Sequence, residues 1–364
     1  MSLLGVLPIE RAYYLCQHCH QGHVPTDELL HLSERKQTPA AEEVITLMGT
    51  LESFATAADQ ALHRLSGIRV SESTVERTTE AVGQRLVEAT SAGQTFGEAT
   101  AWQWHRDAEG KTCAYVACDA PGRGMQGKRG TRADGRMANV AMIYNPIPEE
   151  RKRWAQPKSS RRPVFQARYL AGLDPMMEQM RRLRGVAAQV GMQQAERWIA
   201  LSDGGAGLEE SLRVNFPLLV VIILDFWHAA EHVHAFAKVW QPENTQACGE
   251  QWCELLKNQG GAGLLKLLRA LPVSRRKGNV QEAHRQLVGY VENQLHRMDY
   301  PTYRKKGWQI GSGPVEAACK GVIGQRLKGT GMRWGVEGAQ SLCHLRALLC
   351  SHDHAWNTFW ATAS

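Results

Sequence analysis

The fold of this chain is best indicated by residues 218–224, which read LLVVIIL. A strand that is buried on both faces of a parallel sheet has a continuous apolar run of this kind, whereas a half-exposed strand alternates. The run ends at Asp225, and a helical pattern of apolar side chains follows it. It therefore predicts a central strand that leads into a helix.

Upstream of this run, short alternating segments predict further strands, each bounded by Gly, Pro or Asp. Segments with apolar side chains three to four residues apart predict the helices between them. This order is typical of a mixed α/β or α+β domain with one central sheet. In chain order the predicted elements are strands at 112–119, 137–144 and 164–170, a helix at 175–190, a strand at 197–202, a helix at 207–214 and the strand at 218–224.

The composition is that of a soluble, basic protein without a membrane segment. Its 43% apolar and 22% charged residues are ordinary for a globular protein, and 364 residues are enough for two or three domains. The net charge of +7 and the pI of about 9.0 favour a polyanionic partner. The nine scattered cysteines predict a reducing compartment. No signal peptide opens the chain and no apolar run is long enough to span a bilayer, which predicts a cytoplasmic location.

Three acids stand at the boundaries of predicted elements. Asp119 and Asp203 each end a strand, and Glu316 begins a late helix after the Gly/Pro break at residues 311–314. Acids at the carboxyl ends of strands lie where α/β sheets bind ligands. If the three converge, they predict a site for two Mg²⁺ or Mn²⁺ ions about 3.5–4 Å apart. The sequence alone does not show convergence, and each Asp has an alternative role as a helix cap or turn former.

Basic side chains follow Glu316, beginning with Lys320 one helical turn further on the same face. A carboxylate that holds a divalent cation beside a basic surface suits metal-assisted cleavage of a nucleic-acid backbone. The alternative is an ordinary amphipathic helix with a solvated basic face. The candidate contacts to a DNA backbone are Lys320, Arg326, Lys328 and Arg333.

The region between residues 38 and 90 is helical in pattern and contains a candidate helix-turn-helix. Gly67 supplies the turn, and Ser71 begins a second helix that carries Arg77. In a helix-turn-helix this second helix enters the major groove of DNA, which makes Arg77 a candidate DNA contact. A plain helical hairpin is the alternative.

Near the start of the chain, Cys16 and Cys19 form a CxxC pair with His20 and His23 close by. Thiolate and imidazole are the preferred ligands of Zn²⁺, but a structural zinc site needs four of them. Only one CxxC is present, so the pair predicts zinc binding without completing a site.

Two other motifs point to different enzyme classes. Residues 122–127 match the dinucleotide fingerprint GxGxxG, but Lys128 and Arg129 follow where an apolar helix should begin. Residues 228–232 match HxxEH, an inverted zinc-protease motif with both histidines on one helical face. The second match keeps a zinc peptidase open as an alternative function.

Four segments resemble the ISKra-group insertion-sequence transposases, bacterial relatives of the Mutator-like DDE transposases. The two longest and most specific are residues 224–232, LDFWHAAEH, and residues 311–334. The others are residues 11–19, with RAYY and the CxxC pair, and residues 201–204, LSDG. Together they spread over nearly the whole chain.

The resemblance implies an RNase H-like catalytic core, interrupted by an all-helical insertion before the last acid, and Mg²⁺-dependent DNA strand transfer. It implies that Asp119, Asp203 and Glu316 form the DDE triad. Asp225 and His228 fall on the family's D/C-x-x-H signature, so His228 is expected near the scissile phosphate or a flipped base, with Asp225 as an orienting partner. The implied partner is double-stranded DNA, both element ends and target, bound by a homo-oligomer in the nucleoid.

The implied organisation has five parts. They are a partial zinc-ribbon-like segment at 1–37, a helical DNA-binding region at 38–98, the first part of the core at 99–238, the helical insertion at 239–306 and the last core helices at 307–364.

The chain departs from the family pattern beside the triad. Residues 120–121 are Ala-Pro where Gly is frequent, and residues 205–207 are Gly-Ala-Gly where aromatic residues are usual. An earlier CxxC, which would complete a zinc ribbon, is missing. These departures keep a second function open, that of a catalytically inactive transposase remnant that binds DNA.

Overall fold

The fold is built on one five-stranded sheet with helices on both faces. The computed structural model describes residues 2–3, 9–29, 37–126, 132–146, 165–329 and 332–363. The strands are β1 (Tyr14–Leu15), β2 (Gly22–His23), β3 (Cys113–Asp119), β4 (Gly122–Gln126), β5 (Arg132–Met137), β6 (Asn139–Asn145), β7 (Gln166–Gly172), β8 (Arg197–Ser202) and β9 (Leu219–Leu224).

Helices make up most of the remaining described chain. The α-helices are α1 (Pro25–Leu29), α2 (Pro39–Leu51), α3 (Phe54–Thr56), α4 (Glu72–Ser91), α5 (Met176–Gln189), α6 (Leu208–Asn215), α7 (Phe226–Trp240), α8 (Thr245–Ala270), α9 (Gly278–Gln294), α10 (Tyr300–Lys305), α11 (Gly313–Ala318), α12 (Gln325–Leu327), α13 (Val336–Cys350) and α14 (Ala355–Ala363). Two π-helical segments, Ala57–Ser66 and Cys319–Gly324, and 3₁₀ turns at Met192–Gln194, Pro242–Asn244, Val273–Arg275 and Leu295–Arg297 connect them.

The sheet is mixed, in the order β7-β6-β3-β8-β9. β6 runs antiparallel to both β3 and β7, whereas β8 and β9 run parallel to β3. The parallel strands need crossover connections, and α5 and α6 provide them. The predicted mixed α/β class is therefore confirmed.

Alternate side chains of β3 lie in two different hydrophobic clusters, as the period of two in a strand requires. Ala114, Val116 and Cys118 pack with residues of α5 and α6 on one face. Tyr115 and Ala117 pack on the other face with residues of α7, α11 and α13. The sheet is thus the middle layer of a helix–sheet–helix arrangement.

Helices α2, α3 and α4 contribute residues to the hydrophobic core on the second face of the sheet. α4 packs along α13, and Gly83 makes their close approach possible. A Cβ atom on Gly83 would lie 2.4 Å from the Cβ of Ser341.

The region between α7 and α11 is all-helical, as predicted. α8 is broken at Gly260, where a φ of 68° ends the regular helix and favours glycine. α9 packs against both α7 and α8, and this position brings the 3₁₀ turn that follows it, Leu295–Arg297, to the end of β8.

The strands and helices predicted between residues 112 and 224 are present, each with boundaries within two residues of the prediction. The prediction that residues 218–224 form a central strand is wrong, because β9 is an edge strand of the sheet and the side chains of Leu218 and Val220 are exposed. The GxGxxG segment forms β4, which pairs with β5, instead of a loop that opens a helix; Gly127 lies outside the described residues. Among the helices that the structure describes, none combines the length and apolarity needed to cross a membrane.

Candidate active site at the carboxyl edge of the sheet

Three acids lie side by side at the carboxyl ends of three adjacent parallel strands. Cys118 of β3 is registered with Ser202 of β8, and Ser202 is registered with Leu224 of β9. The next residue of each strand end is an aspartate, namely Asp119, Asp203 and Asp225. Neighbouring strands are about 4.8 Å apart, so the three backbones that carry these acids form one short row.

Asp119 is half-buried and is close to the helix that carries Glu316. Its Oδ1 accepts a hydrogen bond from the Ala120 amide at 2.6 Å, and its Oδ2 accepts one from the Cys319 thiol at 3.2 Å. Cys319 follows Glu316 by three residues, within one helical turn. The fold therefore brings the first and last predicted acids to the same region, although 197 residues separate them in sequence (316 − 119 = 197).

Asp203 is the middle acid of the row, and its backbone is held by a buried arginine. Arg297, 2% exposed, donates from Nη2 to the Ser202 carbonyl at 3.0 Å, the Ser202 hydroxyl at 2.7 Å and the Asp203 carbonyl at 3.3 Å. Among the described residues, the Asp203 carboxylate accepts one bond, the local one from the Gly205 amide at 2.9 Å. Arg297 thus fixes the strand end while leaving the carboxylate available.

Asp225 differs from the other two because four donors occupy its carboxylate. It caps α7 by accepting from the amides of Trp227 and His228 at 3.1 and 3.2 Å. It also accepts from the amide and the hydroxyl of Ser312 at 2.9 and 2.7 Å. Asp225 is 4% exposed. Its position suits an anchor between α7 and the loop before Glu316.

Glu316 lies in the first turn of α11, as the Gly/Pro break predicts. Its Oε1 is 3.4 Å from the Ser312 hydroxyl, and its Oε2 is 3.7 Å from Nζ of Lys320. The Glu316 side chain is 45% exposed. Ser312 therefore links the buried Asp225 to the accessible Glu316.

The row of acids shifts the pKa of a neighbouring buried group. Burial raises the pKa of the Cys118 thiol, and the carboxylates of Asp203 and Asp119 raise it further. Burial lowers the pKa of Arg297, and the neighbouring Glu209 opposes that shift. The buried guanidinium of Arg297 thus lies next to the row of carboxylates and offsets part of their mutual repulsion.

The predicted His228 lies on α7 beside the acids, in an aromatic group with His232 and Tyr290. The ring centroids of His228 and His232 are 5.0 Å apart, and His232 stacks on Tyr290 at 4.0 Å. Burial lowers the pKa of His232, and His228 lowers it further. His232 is therefore neutral near pH 7 and packed, while the His228 side chain is 33% exposed.

The predicted basic surface needs one correction. Arg326 is 2% exposed, its Nε donates to the Gly49 carbonyl at 3.0 Å, and its guanidinium lies 4.6 Å from the Phe54 ring and 4.9 Å from the Trp334 ring. Burial lowers the pKa of Arg326 to about 10. The prediction that Arg326 contacts the DNA backbone is wrong, because its side chain fills the core instead.

The other predicted DNA contacts are exposed. Lys320, Lys328 and Arg333 all lie on the surface that follows Glu316. Arg77 is also exposed, on α4, and Ser71 caps this helix by accepting from the Thr74 amide at 3.2 Å. The two helices and the turn at Gly67 are present as the sequence predicts, and DNA binding by this region stays a prediction.

The CxxC pair lies in the turn between β1 and β2 and is exposed. The Cys19 amide points at the Cys16 sulfur at 3.5 Å, and bonds from the amides of Cys19 and His18 lower the pKa of Cys16. A thiol of lowered pKa is a better zinc ligand. Two of the four ligands that a structural zinc needs are thus provided, and zinc binding stays a prediction.

Within the described ranges, no three His, Cys, Asp or Glu side chains are gathered closely enough to hold a metal ion. The donor set nevertheless fits Mg²⁺ in its chemistry, since Asp119, Asp203 and Glu316 are carboxylates with unoccupied oxygen lone pairs. Asp225 does not fit, because its oxygens are already bonded to four donors.

Comparison with known proteins gives no family assignment. The amino-acid sequence matches no protein-family model and no curated protein.

Sequence patterns missed three residues of this site. Ser312 belongs to the Gly/Pro break, and a hydroxyl directly before a helix start could have indicated a hydrogen-bonding role. Tyr290 and Arg297 follow helical spacing and carry no local signal of a site.

Proposed function

We propose that this chain is a DDE transposase of the ISKra group, which cleaves DNA and transfers the cut strand in a reaction that depends on Mg²⁺ or Mn²⁺. The observation that carries the proposal is the strand register that puts Asp119 beside Asp203, together with the approach of the Glu316 helix to Asp119. Three carboxylates with unoccupied oxygens at one edge of a sheet are what two-metal phosphoryl transfer requires.

The architecture supports an RNase H-like core. The mixed sheet has its acids at the carboxyl ends of parallel strands and helices on both faces. The all-helical region between α7 and α11 corresponds in position to the insertion that the resemblance implies. The resemblance in residues 224–232 and 311–334 supports the finer assignment to the ISKra group.

Asp119, Asp203 and Glu316 are the residues that would hold the divalent ions. When bound, such ions activate a water or a 3′ hydroxyl for in-line attack and stabilise the leaving oxygen. Asp225 holds the loop at Ser312 and so places Glu316. Arg297 holds the end of β8 and so places Asp203.

The basic residues after Glu316 would bind the DNA backbone. Lys320, Lys328 and Arg333 are exposed, so each can pair with a phosphate. His228, partly exposed beside Asp225, would lie near the scissile phosphate or a flipped base. Transposases of this kind act on paired DNA ends, so we propose a homo-oligomer as the active form.

The test is cleavage of a labelled duplex that carries the DNA segments flanking this gene, with Mg²⁺ or Mn²⁺, by the wild type, Asp203→Asn and Glu316→Gln. We expect cutting by the wild type alone and binding by all three proteins when Ca²⁺ replaces Mg²⁺. Binding without cutting by any of them would instead identify an inactive remnant. Cleavage that survives in either variant would remove that acid from the proposed triad.

A further inference from the structure

The hydroxyl of Tyr290 is buried and unpaired. Its Oη is removed from solvent and has no hydrogen-bond partner in the part of the chain that the structure describes. Leaving a buried hydroxyl unpaired costs about 1–3 kcal/mol. A side chain without a role in substrate binding would be more stable as phenylalanine at this position, so the hydroxyl calls for an explanation.

Tyr290 comes from α9 of the helical region and lies against the residue that follows Asp203. A Cβ atom on Gly204 would be 3.3 Å from Cε2 of Tyr290 and 3.7 Å from its Oη. A glycine at 204 therefore lets the phenol come this close to the backbone beside the acid. The charges of Asp203 and Asp225 both act on Tyr290, which is consistent with this short separation.

The phenol ring is packed against two histidine rings. Its ring stacks on the neutral His232 with an interplanar angle of 26°, and the His228 ring lies 6.3 Å away. Seven residues further along the chain, Arg297 fastens the same helical region to the end of β8. Burial raises the pKa of Tyr290, so its hydroxyl keeps its proton near pH 7 and remains a donor.

We propose that the Tyr290 hydroxyl is a further substrate contact of this site: when DNA binds and opens the packing that covers the hydroxyl, it donates a hydrogen bond to a non-bridging oxygen of the scissile phosphate. The inference rests on the proposed function, since it needs a phosphodiester at the edge formed by Asp119, Asp203 and Glu316. A neutral donor is suited to this position because it adds no charge to compete with the divalent ions for the carboxylates, yet it stabilises charge on the phosphate oxygen as the reaction proceeds.

Tyr290→Phe separates this role from a structural one. The substitution removes the oxygen alone and keeps the ring on His232. Because the oxygen has no partner, its loss should leave the midpoint of urea unfolding unchanged or higher. If the hydroxyl instead supported the fold through an internal bond, the midpoint would fall. Tyr169→Phe is the matched control, since this half-buried tyrosine lies on β7, at the opposite edge of the sheet from β9.

The experiment measures single-turnover cleavage of the labelled flanking-DNA duplex at saturating DNA, and DNA affinity in Ca²⁺, for the wild type and both variants. We expect Tyr290→Phe to lower the maximal rate about 10- to 100-fold, the value of one hydrogen bond to a charged group, and to change the dissociation constant by less than about 3-fold. Tyr169→Phe should change neither quantity.

Three results would overturn the inference, and each has a different meaning. A Tyr290→Phe rate within about 2-fold of the wild type would reject the substrate contact and leave the proposed transposase function in place. A wild type that binds the duplex but does not cut it in Mg²⁺ or Mn²⁺ would reject the proposed function, and the role of Tyr290 in cleavage with it. A lowered unfolding midpoint for Tyr290→Phe would assign the hydroxyl to the fold.

Discussion

The carboxylate of Asp225 accepts two hydrogen bonds from Ser312, one from its amide at 2.9 Å and one from its hydroxyl at 2.7 Å. Both residues are buried, and the pair joins the start of α7 to the start of α11. Glu316 is one turn beyond Ser312, so its position depends on the contact between Ser312 and Asp225. The carboxylate oxygens of Asp225 are themselves already bonded. The two carboxylates therefore have different functions.

Ser312→Ala should destabilise the protein by about 1.5–3 kcal/mol, because a buried carboxylate loses a donor at 2.7 Å. Urea unfolding measures the change. The control is Ser66→Ala, which also loses a hydroxyl, one that donates to the Leu62 carbonyl of the same helical segment. If the two substitutions lowered the free energy of unfolding equally, the Asp225–Ser312 bond would contribute no more than an ordinary hydrogen bond.

Unlike Ser312→Ala, the substitution Asp203→Asn should leave the free energy of unfolding unchanged or raise it by up to about 1 kcal/mol. The Asn side chain can still accept from the Gly205 amide, and a negative charge next to Asp119 is removed. Asp225→Asn should cost about 2–3 kcal/mol, because its four donors face a weaker acceptor. Urea unfolding without divalent ions compares the two. A loss above about 2 kcal/mol for Asp203→Asn would contradict the assignment of Asp203 to function rather than to the stability of the fold.

Arg326→Lys should cost about 2–3 kcal/mol in unfolding free energy. A lysine cannot both donate to the Gly49 carbonyl and lie flat between the Phe54 and Trp334 rings. The exposed Lys328, replaced by Gln, should change stability by less than about 0.5 kcal/mol. If both variants unfold at the wild-type midpoint, the burial of Arg326 does not contribute to stability.

Neutralising Lys320, Lys328 and Arg333 together with Gln should weaken binding to duplex DNA and flatten its salt dependence. For every phosphate that the variant no longer neutralises, the slope of log K against log salt should decrease in magnitude by about 0.9. The control replaces Lys266, Arg269 and Arg285, three exposed basic residues of the helical region, two of which already pair with Glu292 and Glu282. If the slope of log K against log salt decreased equally in both triple variants, the change would be a general effect of net charge. The residues after Glu316 would then not form a DNA-binding surface.

His344 should make the fold sensitive to mild acid. Burial lowers its pKa, with Arg182 adding to the shift and Asp174 opposing it. The free side chain has a pKa of about 6.5, so the unfolded state binds a proton that the folded state resists. The stabilisation from neutral His344 is complete above about pH 6.5 and is lost as the pH falls below that value, by up to about 1.4 kcal/mol per pH unit.

Urea unfolding between pH 8 and 5 measures this dependence. His344→Gln should lower stability at pH 8, since the Thr90 and Gln340 contacts are altered, but it should reduce the slope below pH 6.5. The same substitution at the exposed His63 should keep the wild-type slope. A His344→Gln variant with an unchanged slope would place the acid sensitivity elsewhere.

The prediction of Arg326 as a DNA contact shows where local pattern stops being informative. Arg326 and Lys328 have the same charge and lie two residues apart, yet one is core and the other is surface. What separates them is the approach of Phe54 and Gly49, which are more than 270 residues away in the chain. Sequence spacing gives the face of a helix but not the partner that covers it.

Local sequence was sufficient to predict the five strands of the central sheet, most of the helices and the position of three acids at element boundaries, because backbone period, turn residues and Gly/Pro breaks act within a few residues. The remaining features of the site come from packing. Strand register put Asp119 beside Asp203, the contact with Ser312 turned Asp225 into an anchor, and helix packing brought Tyr290 and Arg297 to the end of β8. These outcomes depend on contacts between distant residues, which periodicity in one segment cannot encode.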